Sequence, residues 1–590
     1  MGLFDLLTVP TLRSRPLPEA ERIALAEFGL FAELSAAVFR TIEPELQIFS
    51  LPAGWTLFEQ GEEADGLFVL ISGRLQIVVG GDQGRERSVN QIGPGETVGE
   101  MGVLTGDART GTVVAVRDSE LVKLGRPVFD VLVQKQPDAI LHLTRILVRR
   151  LRRITQGTDK TAAIHTICVQ PLDRGVDAEA TAQLIADAFT ADGRKPRILD
   201  HRHARHTTSW YHSQEHEHDV VIYVGQPRPT AWTRLSLRQA DRVLLLTNPT
   251  SKPLDPTLSS CLEGMLGGRL SDLVVLHDQP VLGSVAHEPW LDRLPVACRW
   301  HLCLTEPADQ RRLVRIAMAR AVGLVLSGGG ARGFAHLGVV RALTEAGIDY
   351  DIVTGTSMGA LIAAGLAMRW PFDAFIDRLK RSFLDINPIG DYTLPVVSLA
   401  RGNRLERLFR THFVDVAIED LPLPFRCTAS DLGRSEIVTL DKGMVRHAVL
   451  ASLSIPGLVP PVLDGDRIFV DGALISTLPV ELVSDLGRGP TIAVDVGGEW
   501  KYALASTAVI DGLKGIGLRG QAPPIASLIM RAATAPGEWH TRHLGEQADV
   551  LIKPPVNDLP LLDWQSMERA IEVGYQDTKA KIADGTIQTL

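Results

Sequence analysis

The chain has 590 residues, which is too long for a single hydrophobic core and is typical of about three or four domains. Its composition, 45% apolar and 22% charged, is that of an ordinary soluble globular protein. The net charge is −9 and there is no strongly basic block, so the charge pattern argues against a nucleic-acid-binding protein.

The first predicted domain is a β-roll over residues 28–155, which follows a leader at residues 1–27. Three β-rich segments, at residues 47–51, 67–71 and 75–79, indicate its strands. The glycines that separate them are Gly54, Gly61, Gly66, Gly73, Gly80 and Gly81. Short strands with such frequent glycine turns favour a β-roll or a jelly roll.

A helix is predicted at the end of this domain, over residues 137–155. Its apolar side chains recur at helical spacing, at Ile140, Leu143, Leu147, Leu151 and Ile154. The arginines around this stripe are Arg145, Arg149, Arg150, Arg152 and Arg153. A helix of this kind either links domains or subunits, which is the preferred interpretation, or lies on a membrane surface.

The second predicted domain covers residues 161–312 and alternates strands with helices. A helix is predicted over residues 178–189, and the strands are predicted at residues 164–169, 220–224, 242–246 and 273–276. This alternation indicates a parallel α/β unit. The segment has no glycine-rich phosphate loop, so the sequence predicts no nucleotide chemistry in it.

This second domain also contains a histidine-rich stretch, with His201, His203, His206, His212, His216 and His218. Imidazoles close in sequence can share a metal ion, but this spacing matches no established ligand pattern. The stretch is polar, and we expect a solvated loop without a metal.

The third predicted domain, over residues 321–590, begins with a buried strand at residues 322–326. The glycine-rich segment at residues 327–333 follows, and a helix begins near Phe334. A dinucleotide site would need an acidic residue at the far end of the next strand. Asp349 and Asp351 instead precede that strand, so an anion hole suits the glycine-rich segment better.

The next strand ends in Gly355-Thr356-Ser357-Met358-Gly359, and a helical run follows it. This is a G-x-S-x-G motif between a strand and a helix, the arrangement of a nucleophile elbow. Gly355 and Gly359 lack side chains, so neighbouring elements can pass close to the strained serine. The sequence predicts Ser357 as a nucleophile.

A serine nucleophile needs a base, and a strand at residues 467–470 leads into Asp471-Gly472-Ala473. An aspartate at a strand end is also a common turn residue. Its position after both glycine motifs favours the functional interpretation for Asp471.

These three segments together resemble the patatin-like phospholipase family, and more closely the bacterial relatives of neuropathy target esterase. The resemblance covers roughly residues 322–575 and includes the segment at residues 451–457, which we interpret as structural support. It implies a dyad in which Asp471 takes the proton of Ser357, with Gly472 and Ala473 completing the Asp-Gly-Ala motif.

The resemblance also implies an oxyanion loop formed by Gly328, Gly329, Gly330, Ala331, Arg332 and Gly333. The backbone N–H groups of Gly329, Gly330 and Ala331 would hold the oxyanion. Arg332 would steady the loop, meet a lipid phosphate or form a surface salt bridge.

The alternative chemistry is a Ser-His-Asp triad in a non-lipid esterase, because His540 and His543 follow Asp471 in the chain. His336 is interpreted as a packing or loop residue. A catalytically inactive lipid-binding or scaffolding protein is a further alternative, and the presence of both Ser357 and Asp471 argues against it.

Within the first domain, residues 92–113 resemble the phosphate-binding cassette of cyclic-nucleotide-binding domains. The resemblance implies that Glu100 accepts from the ribose 2′-hydroxyl and that Arg109 pairs with the cyclic phosphate, beside Gly99 and Thr110. The family usually has proline before the arginine, where this chain has Ala108. A cyclic nucleotide, cAMP or cGMP, is thus implied as a regulator.

Such sensor domains also occur in transcription factors, but a parallel α/β unit without a basic recognition helix follows here. The five cysteines, Cys168, Cys261, Cys298, Cys303 and Cys427, form no C-x-x-C pair. A reducing, cytoplasmic setting is therefore expected. The N-terminus lacks a secretory pattern, and no run approaches about 18 apolar residues, so any membrane contact is expected to be peripheral.

Taken together, the residues and resemblances predict a multidomain α/β protein with an N-terminal β-roll and a C-terminal patatin-like hydrolase domain. They predict hydrolysis of phospholipid or lysophospholipid esters at a peripheral membrane surface, without a catalytic cofactor or a metal. A homo-oligomer is left open.

Overall fold

The computed structural model describes residues 13–16, 25, 28–80, 86–135, 164–206, 208–266, 270–285, 288–394, 396–497 and 547–587. The helix predicted over residues 137–155 lies outside the described residues, as does most of the leader. The chain divides into two compact units, residues 1–273 with 293–297 and residues 274–292 with 298–590.

The first unit begins with a β-roll. Its strands are β1 (Arg13–Pro16), β2 (Gln47–Leu51), β3 (Thr56–Phe58), β4 (Gly66–Gly80), β5 (Glu86–Ile92), β6 (Thr97–Val98) and β7 (Thr112–Gly125). Its helices are α1 (Ala36–Ile42), α2 (Glu100–Thr105) and α3 (Arg126–Lys135). The sheet has the order β1-β2-β7-β4-β5, with β3 paired to β7 and β6 paired to β4.

The prediction of two separate strands at residues 67–71 and 75–79 is wrong, because the single strand β4 runs through both segments. The pairing of β4 with β7 shifts register around Gly73. Gly73 has φ +103°, and a Cβ there would lie 2.5 Å from the Cα of Ser119. Glycine thus bends this strand without ending it.

A parallel layer follows the β-roll within the first unit. Its strands are β8 (Thr166–Pro171), β9 (Pro196–Leu199), β10 (Val220–Val224), β11 (Arg242–Thr247) and β12 (Leu270–Leu276), in the order β12-β11-β8-β10-β9. Its helices are α4 (Ala178–Ala191), α5 (Thr208–Glu217), α6 (Ala231–Gln239) and α7 (Pro256–Leu266). Strand β8 pairs in parallel with β10 and β11, so the predicted parallel α/β arrangement is confirmed.

The histidine-rich stretch is not the predicted loop. His201–His203 form a 3₁₀ turn, and α5 begins at Thr208. The rings of His206 and Trp210 stack at 3.8 Å between centroids. At least one histidine of this polar stretch therefore packs against an aromatic side chain.

A buried charged cluster joins the β-roll to the parallel layer. Arg117 Nε lies 2.8 Å from Asp241 Oδ1, and Arg74 Nε lies 3.1 Å from the same oxygen. Arg117 Nη1 also donates to both carboxylate oxygens of Glu215, at 2.9 and 2.8 Å. We call these four residues, Arg74, Arg117, Glu215 and Asp241, the charged cluster.

The second unit contains a mixed sheet of eight strands among the described residues. They are β14 (Gly323–Leu326), β15 (Ile352–Gly355), β16 (Phe425–Asp431), β17 (Glu436–Leu440), β18 (Val462–Asp464), β19 (Arg467–Asp471), β20 (Thr491–Val494) and β21 (Val550–Ile552), and β13 (Cys298–Leu302) precedes them in the chain. The order is β18-β19-β16-β15-β14-β20-β21, with β17 paired to β16. Strand β14 lies between β15 and β20 and is parallel to both.

The second unit also contains eight α-helices among the described residues. They are α8 (Pro307–Ala317), α9 (Ala335–Glu345), α10 (Met358–Ala367), α11 (Phe372–Lys380), α12 (Asn403–Phe413), α13 (Val445–Leu453), α14 (Glu481–Ser484) and α15 (Met567–Ala583). All ten residues of α10 are buried, so this helix forms the centre of the domain. Helices α9 and α15 approach so closely that a Cβ on Gly338 would lie 1.9 Å from Ile571 O.

Candidate active site

Ser357 lies in the turn between β15 and α10, at the carboxyl end of the central parallel strands. Its backbone has φ 55° and ψ −122°, an unusual conformation for a residue with a side chain. Such a conformation costs roughly 1–3 kcal/mol and persists only where the surrounding structure enforces it. The predicted strand–turn–helix elbow is therefore present, with Ser357 at its apex.

Two glycines allow the elbow to close. A Cβ on Gly355 would lie 2.5 Å from the carbonyl carbon of Gly359. A Cβ on Gly359 would lie 2.2 Å from the carbonyl oxygen of Leu326, at the end of β14. Both contacts are with backbone atoms, which cannot move aside as a flexible side chain would, so both positions require glycine.

Ser357 and Asp471 are brought together although they lie 114 residues apart. Ser357 Oγ donates to Asp471 Oδ2 at 2.7 Å, and the side chains are nearly excluded from solvent. The other carboxylate oxygen, Asp471 Oδ1, accepts from the N–H of Ala473 at 2.9 Å. Gly472 packs against Thr428, where a Cβ would lie 2.5 Å from the Thr428 hydroxyl.

The environment of Asp471 makes its carboxylate unusually basic. Burial raises the pKa of Asp471 to about 7, although the hydrogen bonds from Ser357 and Ala473 act in the opposite direction. No other charged group contributes to this shift. An aspartate of this kind can both accept and release a proton near neutral pH.

The segment predicted as structural support positions both residues of this pair. The Ser452 hydroxyl accepts from the N–H of Ser357 at 2.9 Å, and the Ser454 carbonyl accepts from the N–H of Asp471 at 2.9 Å. The sequence prediction did not identify this role of Ser452. A small polar residue within the family-like segment at residues 451–457 was the available signal.

The glycine-rich loop lies beside the elbow, and a Cβ on Gly328 would lie 3.3 Å from the Ser357 Cβ. Several of its N–H groups are already used. Gly328 donates to Thr477 O at 2.9 Å, Ala331 to Leu561 O at 2.8 Å and Arg332 to Gly329 O at 3.1 Å. These three N–H groups hold the loop and its neighbours, which corrects the predicted oxyanion role of Ala331.

Two N–H groups of the loop remain suitable donors for an oxyanion. Within the described part of the chain, those of Gly329 and Gly330 have no backbone or side-chain acceptor. Gly330 has φ +53°, and a Cβ there would lie 2.2 Å from Leu561 O. Gly333 is equally confined, since its Cβ would lie 2.3 Å from Met358 Cγ.

Arg332 steadies the loop, one of its three predicted roles. Its Nε donates to Leu559 O at 2.6 Å and its Nη2 to Asn557 O at 2.9 Å. These contacts tie the glycine-rich loop to a segment more than 220 residues later in the chain.

No imidazole among the described residues donates to Asp471. His336 is buried, its Nε2 lies 2.9 Å from Ser327 O, and burial lowers its pKa to about 4, so it is a neutral packing residue. His540 and His543, the candidates for a triad, lie outside the described residues. The predicted alternative of a Ser-His-Asp triad stays a prediction.

The cassette in the first unit places Glu100 and Arg109 in the interior, while Thr110 is exposed. Gly99 has φ +83° and precedes the short helix α2. Arg109 Nη1 donates to Gly99 O and Nη2 to Asp65 Oδ1, both at 3.0 Å. Burial lowers the pKa of Arg109, and Asp65, the nearest anion, opposes that shift.

The contacts of Arg109 with Asp65 and Gly99 bear on whether the cassette can bind a cyclic phosphate. The side chain of Asp65 is 58% exposed, so an incoming anion can replace it at the guanidinium. A Cβ on Gly99 would lie 2.4 Å from Arg109 Nη1, and glycine therefore leaves this cradle open. The residues present fit an anionic ligand.

The described residues contain no cluster of three or more histidine, cysteine, aspartate or glutamate side chains suited to a metal ion. None of the helices within the described ranges has both the length and the apolar character needed to cross a bilayer.

Comparison with protein families gives three matches along the chain. Residues 48–136 match the cyclic nucleotide-binding domain, and residues 163–321 match the neuropathy target esterase family P-loop like domain. Residues 324–484 match the patatin-like phospholipase family. The predicted fold class, with a β-roll followed by a patatin-like domain, is confirmed.

Individual relatives are similar over nearly the whole chain. Patatin-like phospholipase domain-containing protein 7 of Rattus norvegicus is 29% identical over 91% of this chain and 45% of its own length. Patatin-like phospholipase domain-containing protein 6 of Homo sapiens is 27% identical, over 90% and 44%. Lysophospholipase nte1 of Aspergillus niger is 27% identical, over 94% and 43%.

The chain thus spans less than half the length of each of these relatives. The elbow, the Asp-Gly-Ala turn and the glycine-rich loop all lie within the segment matched by the patatin-like family. Segments of the chain therefore match, in order, a cyclic nucleotide-binding domain, the neuropathy target esterase family P-loop like domain and the patatin-like phospholipase family, and the chain is similar to patatin-like phospholipase domain-containing proteins 6 and 7.

Proposed function

We propose that this chain is a serine hydrolase that cleaves the carboxylic esters of phospholipids or lysophospholipids through a dyad of Ser357 and Asp471. The observation that carries the proposal is the 2.7 Å hydrogen bond from Ser357 Oγ to Asp471 Oδ2, between two side chains that are nearly excluded from solvent. The names of the relatives, which include a lysophospholipase, support the substrate class.

In the first half of the reaction, Asp471 takes the hydroxyl proton while Ser357 Oγ forms a bond to the ester carbonyl carbon. The carbonyl oxygen becomes an oxyanion, and the N–H groups of Gly329 and Gly330 donate to it. One such donor typically contributes about 3–4 kcal/mol to the barrier reduction. The carbon–oxygen bond to the alcohol then breaks, and Asp471 gives its proton to the departing oxygen.

In the second half, Asp471 accepts a proton from water as that water attacks the acyl-enzyme. The bond to Ser357 Oγ breaks, the fatty acid leaves, and the serine recovers its proton from Asp471. The same carboxyl group therefore serves as base and acid in both halves, a role suited to its pKa of about 7.

We further propose a cyclic nucleotide as the regulator, and a lipid surface as the place where the substrate is met. Arg109 and Glu100 would hold the cyclic phosphate and the ribose, with the phosphate replacing Asp65 at the guanidinium. Such a ligand shifts activity only if it binds the active and inactive states with different affinities.

The test is hydrolysis of lysophosphatidylcholine and phosphatidylcholine by the parent chain, by Ser357→Ala and by Ser484→Ala as a matched control in the same unit. We expect Ser357→Ala to lose at least about a thousandfold in turnover and the control to lose little. Equal activity of parent and Ser357→Ala would overturn the assignment of the nucleophile.

Two further arms separate the remaining parts of the proposal. Replacing His540 or His543 by alanine should spare activity; a loss as large as that of Asp471→Asn would replace the dyad with a triad. Each assay is repeated with saturating cAMP or cGMP. Unchanged turnover, with binding shown by calorimetry, would remove the regulatory proposal.

A further inference from the structure

A short loop between α11 and α12 exposes four large apolar side chains. Tyr392, Leu394, Val396 and Val397 are 68%, 79%, 83% and 66% exposed. Single exposed apolar residues are ordinary, but four within six positions of the chain concentrate apolar surface on one short loop, and large exposed apolar patches commonly mark interaction sites. We call these four residues the apolar loop.

Backbone hydrogen bonds fix the conformation of the apolar loop at its flanks. The N–H of Thr393 donates to Leu399 O at 2.9 Å, which closes the loop on itself. Leu399 then donates to Gly457 O at 2.8 Å, and Ala400 donates to Leu458 O at 3.0 Å. Both flanks are therefore fixed, and the apolar side chains are held outside the core.

The segment that binds the apolar loop, residues 451–457, also binds the backbone of the nucleophile. Gly457 lies in the segment that contains Ser452, and the Ser452 hydroxyl holds the N–H of Ser357. Ser357 itself is only 5% exposed, so a lipid must leave its aggregate to reach the nucleophile. The apolar loop and Ser357 are therefore both hydrogen-bonded to the same segment, residues 451–457.

Positive charge follows the apolar loop directly. Arg401, Arg404, Arg407 and Arg410 are all exposed, and Glu406 is the one acidic residue between the first and last of them. Arg410 pairs with Glu406 at 2.9 Å. Apolar side chains beside exposed cations match the layered chemistry of a phospholipid surface, where hydrocarbon lies beneath phosphate.

We propose that the apolar loop inserts into the interfacial layer of a phospholipid surface, with the neighbouring arginines at the level of the lipid phosphates. The choice of a lipid surface rests on the proposed function. The loop thereby holds the patatin-like domain against the aggregate from which the substrate is drawn.

The experiment uses the full chain and the double substitution Leu394→Asp/Val396→Asp, with Leu282→Asp as the matched control. Leu282 is 62% exposed and lies in the same compact unit, but it is far from the apolar loop in sequence. Cosedimentation is measured with vesicles of phosphatidylcholine, with and without phosphatidylglycerol. We expect the double variant to partition at least about tenfold more weakly and the control to match the parent.

Two activity readouts separate this inference from the proposed function. For the double variant, the ratio of vesicle-lipid turnover to turnover of a soluble short-chain ester should fall at least about fivefold. Ser357→Ala should bind vesicles like the parent and hydrolyse neither substrate. Hydrolysis by Ser357→Ala would overturn the proposed function, while the vesicle-binding result for the loop variants would still decide this inference.

Three outcomes would overturn the proposal. The first is a parent chain that does not bind vesicles. The second is a double variant that binds as strongly as the parent or a Leu282→Asp control that loses as much. The third is a double variant that binds vesicles normally but dissociates a dimer of the parent in sedimentation analysis, because the loop would then contact a second copy of the chain.

Discussion

Burial, and not a neighbouring charge, places the pKa of Asp471 at about 7. Near neutral pH this side chain is therefore divided between carboxylate and carboxylic acid. A carboxylate with its ordinary pKa would be a much weaker base toward a serine hydroxyl, whereas a group whose pKa lies near the working pH transfers protons in both directions. The burial of Asp471 is thus part of the chemistry of the site.

This environment predicts the pH dependence of hydrolysis. The carboxylate form is needed to accept the proton of Ser357, so kcat/KM should rise about tenfold per unit below pH 7 and level off above it. The profile is measured from pH 5 to 9 on a zwitterionic lysophospholipid, whose charge is constant over that range. His336 does not titrate there, since its pKa is lowered to about 4.

The matched control for this profile is Asp471→Asn, which keeps the shape of the side chain and removes its titration. Its residual activity should show no inflection near pH 7. An inflection retained in this variant would assign the titration to another group and would contradict the role given to Asp471.

Residues with a local signature could be predicted, and those that act across the fold could not. Ser357 lies in a five-residue motif and Asp471 in a three-residue one. Ser452 meets Ser357 across 95 residues, so its role depends on the packing of α13 against the elbow. The N–H of Ala331 donates to the carbonyl oxygen of Leu561, which lies more than 200 residues later in the chain. The sequence around Ala331 therefore could not show that this N–H is unavailable to an oxyanion.

At the scale of elements, apolar periodicity predicted the parallel strands well, since buried strands read as continuous apolar runs. The strand predicted at residues 220–224 matches β10, Val220–Val224. The sequence pattern gave wrong predictions at residue types that occur both in loops and within regular elements. Gly73 was interpreted as a break, but it bends β4, and the histidines of α5 were interpreted as a loop although the segment packs as a helix.

The crossing of α9 and α15 depends on two small residues. A Cβ on Gly338 would lie 1.9 Å from Ile571 O, and a Cβ on Gly574 would lie 2.2 Å from Ala335 O. In both cases the obstructing atom belongs to the backbone of the partner helix. The two helices therefore approach more closely than any side chain would allow.

Gly338→Ala should accordingly destabilise the second unit by about 1–3 kcal/mol, because the helices must separate to admit one methyl group. The matched control is Gly433→Ala in the same unit, where the nearest atom to a new Cβ is Asp431 Oδ1 at 3.4 Å. Urea unfolding monitored by tryptophan fluorescence measures the difference. Equal urea midpoints of unfolding for the two variants would show that α9 and α15 can separate to admit the methyl group without loss of stability.

At the scale of the whole molecule, the charged cluster joins two layers that a sequence divides into separate domains. Burial alone would raise the pKa of Asp241, but Arg117 and Arg74 hold it below its ordinary value. Charges buried in this way cost desolvation, and their attraction offsets that cost only while every member is present. Sequence patterns within either layer gave no indication of the cluster, because its members come from β4, β7, α5 and the residue before β11.

Asp241→Asn should therefore destabilise the first unit by roughly 3–5 kcal/mol, since it leaves two buried guanidinium groups with the single carboxylate of Glu215. Hydrogen exchange measures this as faster exchange in β4, β7 and β11, with β14 and β15 of the second unit unchanged. The matched control is Arg238→Gln, because Arg238 pairs with Asp118 between the same two layers at 3.4 Å but is 45% exposed. Such an exposed pair contributes at most about 1 kcal/mol, so the control should exchange nearly as the parent does. If both variants changed exchange equally, burial of the charged cluster would contribute nothing beyond an ordinary surface contact, and the β-roll and the parallel layer would be held together by their apolar packing alone.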